Sequence, residues 1–75
     1  KAGKEAIRLD RKRVAERLVS LRGDQKQEVV AAAVGISRSA LAMYERGERV
    51  PRDEIKVRLA KYYHTSVQAV FFDAQ

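Results

Sequence analysis

Apolar residues recur along this chain in short helical stripes, separated by glycines and a single proline. Val14, Leu18 and Leu21 fall at i, i+4 and i+7, the spacing that lines one face of a helix, and the pattern becomes clear from about Asp10. Arg22, Gly23 and Asp24 interrupt it, with the glycine as the stop. A second stripe, Val30, Ala31 and Val34, lies in a run of good helix formers over 28–34. Asp24 and Gln27 are spaced like an N-terminal cap and its reciprocal partner, which predicts a start near Gln25. Gly35 ends this helix, because glycine readily takes the left-handed conformation, and Ile36 offers an apolar plug just beyond. Ser37 is placed to cap the next helix, its hydroxyl accepting a bond from an amide of the first turn. That helix is predicted over 38–46, burying Leu41 and Tyr44, and Gly47 closes it.

Beyond Gly47 a polar connection leads to Pro51, which can start a helix but not continue one. Asp53 and Glu54 then fall in a first turn, where the helix dipole favours negative charge. Residues 55–59 alternate as a half-buried strand would, but the run continues to Tyr63 without a turn signal, and Ile55, Leu59 and Tyr62 or Tyr63 make a helical stripe. Ser66 can cap a last helix in which Val67, Val70 and Phe71 pack inward. Phe72 covers the same core, or Phe71 and Phe72 are partly exposed and together form a surface for self-association. Residues 1–9 read as an arm or as an extension of the first helix, and residues 10–75 as one domain.

Composition narrows the class. At 75 residues the chain holds one small core, which is stable if its helices pack efficiently or if it pairs with a second copy. With no cysteine it has neither a disulfide framework nor a thiolate metal site, as in an ordinary reducing cytoplasm. No apolar run is long enough to span a bilayer, and the first residues are too polar for a signal peptide, so a soluble, cytoplasmic protein is expected. The net charge is +6 and the pI about 10.1. Six basic and two acidic residues give residues 1–13 a net +4, and a second basic cluster surrounds Gly47: Arg38, Arg46, Arg49, Arg52, Lys56, Arg58 and Lys61. Such surface suits a polyanion, because each neutralised phosphate releases condensed counterions. One histidine, no cysteine and no glycine-rich phosphate loop leave catalysis without candidates, so the expectation is a binding protein and not an enzyme.

The two central helices, joined by a short link that begins with glycine, make a helix-turn-helix. Around them the chain resembles the phage-repressor and Cro-type helix-turn-helix proteins, the lambda-repressor-like or XRE family. The resemblance rests on Gln27, Ala31, Gly35, Ile36, Ser37 and Leu41, the ending Tyr44-Glu45-Arg46-Gly47, and then Pro51, Leu59-Ala60 and Ser66-Val67. It covers about residues 14–72. It implies an all-α fold, a compact bundle of about five short helices. It departs from the pattern at Lys26, where a cap is usual, at Met43, where a long polar residue is common, and at His64, where the family ends its fourth helix with glycine. Histidine tolerates such a left-handed position better than most residues.

The resemblance implies sequence-specific binding of double-stranded DNA by a nucleoid-associated transcriptional regulator, a repressor of the prophage type acting as a homodimer. The helix after Ser37 would enter the major groove, with Arg38, Ser39, Ala42 and Met43 toward base edges. An arginine fork can bond both O6 and N7 of guanine, which makes Arg38 the strongest candidate for sequence reading. Lys26, Gln27, Ser37, Arg46 and Arg49 would hold the DNA backbone. Arg22 and Glu45 sit where many family members place a structural ion pair. No cofactor, metal or membrane partner is implied. The rival expectation is a protein-interaction module of the same fold, antitoxin-like or a subunit of a larger regulator, with a protein partner or a missing effector domain. RNA binding is weaker, since no aromatic stacking platform is present.

Overall fold

The computed structural model describes residues 11–72. Among the described residues, four α-helices and a closing π-helical turn follow one another: α1 Arg11–Arg22, α2 Gln27–Val34, α3 Arg38–Glu45, α4 Asp53–Tyr62 and the turn Gln68–Phe72. The N-terminal arm expected over residues 1–9 lies outside the described residues. Each α-helix gives one side chain almost wholly to the centre: Leu18, Val30, Leu41 and Leu59. Val14, Val34, Ile55, Val70 and Phe71 close around them. Burying a side chain of this size stabilises by roughly 1.5–3 kcal/mol relative to leaving it exposed. The alternating run 55–59 is helix, because a helical period of 3.6 brings Ile55 and Leu59 to the core together while Val57 and Arg58 face outward.

Three helix ends close the same way. Gly35 has φ +86°, and the amide of Ile36 reaches back to the Ala31 carbonyl at 2.9 Å. Behind Gly47 the Glu48 amide reaches Met43 at 2.9 Å, and behind His64 the Thr65 amide reaches Ala60 at 2.9 Å. In each, a left-handed residue turns the chain so that an orphan carbonyl of the last turn is satisfied. Gly35 also has a neighbour: a Cβ there would lie 3.3 Å from Arg58 Nη1, which donates to the Val34 carbonyl at 3.5 Å. The expected caps at Ser37 and Ser66 are present, their hydroxyls accepting from the amides of Ala40 and Ala69 at 3.0 Å each.

Some expectations are corrected. Helix α2 starts at Gln27, not near Gln25, and its cap residue is Lys26, with no side-chain bond; Asp24 is exposed in the preceding loop. Gln25 is held outside the helix, its carbonyl taking a 2.7 Å bond from Arg22 Nη1 and its side-chain oxygen accepting from the Tyr62 hydroxyl. The last helix is a π turn, whose Ala69 and Val70 carbonyls accept from Arg17 Nη1 at 2.8 and 3.2 Å. A side chain inserted at its carbonyls is a known way to open a helical ladder. Lys56 is no part of a basic surface: it is 8% exposed, with Nζ 4.9 Å from the Phe72 ring centre, 5.8 Å from that of Phe71 and 3.5 Å from the Asp53 carboxylate. Phe72, 57% exposed, covers Lys56 and not the apolar centre.

His64, at φ +59°, is the one described non-glycine residue in the left-handed region. His64→Gly is expected to stabilise the domain by about 1 kcal/mol, read as a higher urea midpoint at unchanged slope. A lower midpoint would show that the imidazole makes a compensating contact.

Candidate nucleic-acid interface

Helix α3 has two unlike faces. Leu41, Tyr44 and Glu45 are buried, against α1 and α2, while Arg38 and Ser39 are exposed and Ala42 and Met43 half-buried. Helical spacing sets most of the division: Leu41, Tyr44 and Glu45 share one face and Ser39 and Met43 lie opposite it, while Arg38, three residues before Leu41 and seven before Glu45, lies at the edge of the buried face and is exposed in the first turn. Ser37 is exposed at the amino end, where one amide bonds its hydroxyl and the helix dipole leaves partial positive charge.

The other end of α3 is held by a polar cluster. Arg22 Nε donates to both oxygens of Glu45, at 2.8 and 3.1 Å, and Gln27 Nε2 donates to Glu45 Oε1 at 2.8 Å. Helices α1, α2 and α3 therefore meet at one carboxylate. Its side chain is only 4% exposed, that of Arg22 20%. The hydrogen bond to Glu45 holds the Arg22 guanidinium even more firmly protonated than usual, against a smaller opposing effect of burial. A buried carboxylate with three donor contacts is tolerable where an unpaired one would not be. The Tyr63 hydroxyl lies buried with no hydrogen-bond partner, and burial, reinforced by the charge of Glu45, pushes its pKa up to about 12.

Cations flank the exposed face of α3. Arg38, Lys26 and Gln27 line one open cleft of about 460 Å³ with Arg22 and Glu28. Arg46, at the carboxyl end, is exposed and forked onto Glu48, Nε to Oε2 at 2.8 Å and Nη2 to Oε1 at 3.1 Å. Arg49, Arg52 and Lys61 are exposed. Of the basic cluster expected around Gly47, Lys56 is buried within the fold instead, and Arg58 is exposed but tethered to the Val34 carbonyl. The acids beside these cations, Glu28 and Glu48, were missed as parts of the surface. Their only signal was proximity in sequence, Glu28 next to Gln27 and Glu48 two residues after Arg46. Among the described residues no group of His, Cys, Asp and Glu could hold a metal, and no helix is long and apolar enough to cross a membrane.

Residues 24–70 match the family model described as Helix-turn-helix, of the Cro/C1 type, so the chain belongs to that family of DNA-binding domains. Among curated proteins and among solved structures, no relative matches it.

Glu45→Ala removes the group on which three helices converge and strands Arg22, so the expected loss is about 2–3 kcal/mol. Urea unfolding checks it, and a loss below about 0.5 kcal/mol, the range of ordinary surface changes, would show the cluster to be energetically idle. Tyr63 gives a pH test. Its folded pKa of about 12 exceeds the ordinary 10.0, so its stabilising effect is complete below pH 10 and is lost as pH rises toward 12. The stability difference between the protein and Tyr63→Phe should therefore shift against the tyrosine across that interval, and a flat difference would contradict a buried phenol.

Proposed function

We propose that this chain binds a specific sequence of double-stranded DNA as a transcriptional repressor of the prophage type, with α3 in the major groove. The observation that carries the reading is the build of α3, with Arg38 and Ser39 exposed at its amino end while Leu41, Tyr44 and Glu45 fasten the helix to the core. Arg38 reads guanine through its fork, Ser39 donates or accepts, and Ala42 and Met43 offer apolar contact to a thymine methyl. Lys26, Gln27, Ser37, Arg46 and Arg49 set the register on phosphates. Gln27 suits this place because its amide nitrogen carries two protons: one is given to Glu45, and the second is left for a phosphate.

The protein acts as a homodimer on inverted half-sites about one helical turn apart. One helix-turn-helix makes few base contacts, and pairing two raises affinity without new ones. The C-terminal turn, with Phe72 outward, supplies the self-association surface in this reading.

Selection of bound duplexes from a random pool is expected to return a symmetric consensus. On that duplex, Arg38→Ala should lose about 1–3 kcal/mol and lose far less on unrelated DNA. In a salt titration Arg46→Ala should lower the slope of log K against log salt by about 0.9, one phosphate contact. Salt-insensitive binding, or an Arg38→Ala loss equal on all sequences, would overturn the proposal, and association with a protein partner in place of DNA would favour an interaction module.

A further inference from the structure

Arg46 and Glu48 form a contact that does nothing for the core. Their side chains are 56% and 54% exposed, and an exposed pair of this kind adds little to stability. Yet the geometry is specific, two parallel N–H to oxygen bonds at 2.8 and 3.1 Å, the arrangement in which a guanidinium also grips a phosphate. The backbone sets it up. Gly47, at φ +77°, folds the chain back over the end of α3, and the Glu48 amide is fastened to the Met43 carbonyl at 2.9 Å. The carboxylate is thus returned to the side chain of the residue that closes the helix.

We propose that Glu48 occupies the phosphate-binding fork of Arg46 and so sets the affinity for DNA below what the chain's cations would otherwise give. The inference rests on the reading of Arg46 as a phosphate contact. When a phosphate arrives, Arg46 exchanges one pair of acceptor oxygens for another, and the net gain is the difference between the two. The carboxylate is then left beside the DNA backbone, where its charge opposes binding. Arg46 also holds the Glu48 carboxyl below the usual carboxylate range, so this competitor stays ionised at neutral pH. Because the exchange concerns a phosphate and not a base edge, it weakens binding to every sequence alike and leaves discrimination unchanged.

A double-mutant cycle in the whole chain tests it: the unaltered protein, Glu48→Gln, Arg46→Ala and the double variant. Each is titrated at one salt concentration onto a duplex recovered by selection and onto an unrelated duplex. The expected result is that Glu48→Gln tightens binding to both duplexes by about two- to fivefold, the worth of an exposed ion pair, and that the gain vanishes when Arg46 is already alanine. An equal gain in both backgrounds would mean that Glu48 acts only through the general field, and weaker binding by Glu48→Gln would mean that the pair pre-positions Arg46. Either result overturns the inference while the DNA-binding reading stands. Failure of the unaltered protein to bind either duplex overturns both.

Discussion

Glu45 is the point at which three helices are tied. Its carboxylate takes Arg22 from α1 and Gln27 from α2, and it stands at the last turn of α3, so the orientation of the exposed helix is set from its far end. An apolar contact alone would let an eight-residue helix roll about Leu41 and Tyr44. A fork of bonds with fixed direction does not, because hydrogen bonds weaken steeply when bent. This is how a domain with so small a centre can present a few side chains in a defined register. The cost of burying a charge is offset by donors that come from the elements to be aligned.

The basic residues divide by the work they do. Arg17, Arg22, Lys56 and Arg58 each close some part of the fold: the C-terminal turn, the Glu45 cluster, the Phe72 ring and the end of α2. Arg38, Arg49, Arg52 and Lys61 project outward, and Arg46 projects outward on the arm of Glu48. A high net charge therefore overstates the positive surface that a polyanion meets. Long arginine and lysine stems bury well while their heads find carbonyls, carboxylates or ring faces, so charge counted from composition does not report where the charge points.

Helix boundaries set by local backbone chemistry were legible: the left-handed stop at Gly35, the hydroxyl caps at Ser37 and Ser66, the start after Pro51; the left-handed turn at His64 came only through resemblance to a family. The start of α2 was not legible, because the Tyr62 hydroxyl, 37 residues away, and Arg22 hold Gln25 out of the helix. For the same reason the fold contacts of Lys56 and Arg58 were not legible: their partners are remote in sequence or are backbone carbonyls, which leave no pattern. At the candidate site, the exposure of Ser39 follows from its spacing against Leu41 and Tyr44, while Arg38, three residues before Leu41, is exposed by its place in the first turn. The neighbourhood of Arg22 and Glu45 does not follow from spacing, since 23 positions separate them, and it came only through resemblance to a family. The places of Gln27 beside Glu45 and of Glu48 beneath Arg46 became visible only with side-chain positions in hand.

The most direct test of the central claim is a map of backbone amide resonances as duplex DNA is added to the isotope-labelled chain. If α3 is held by Glu45 so that its amino end meets the groove, the largest changes fall on residues 37–43 and on residues 26–28 at the start of α2, with the outer faces of α1 and α4 nearly still. Largest changes around Val19 on α1 or Val57 on α4, with residues 37–43 unmoved, would contradict it.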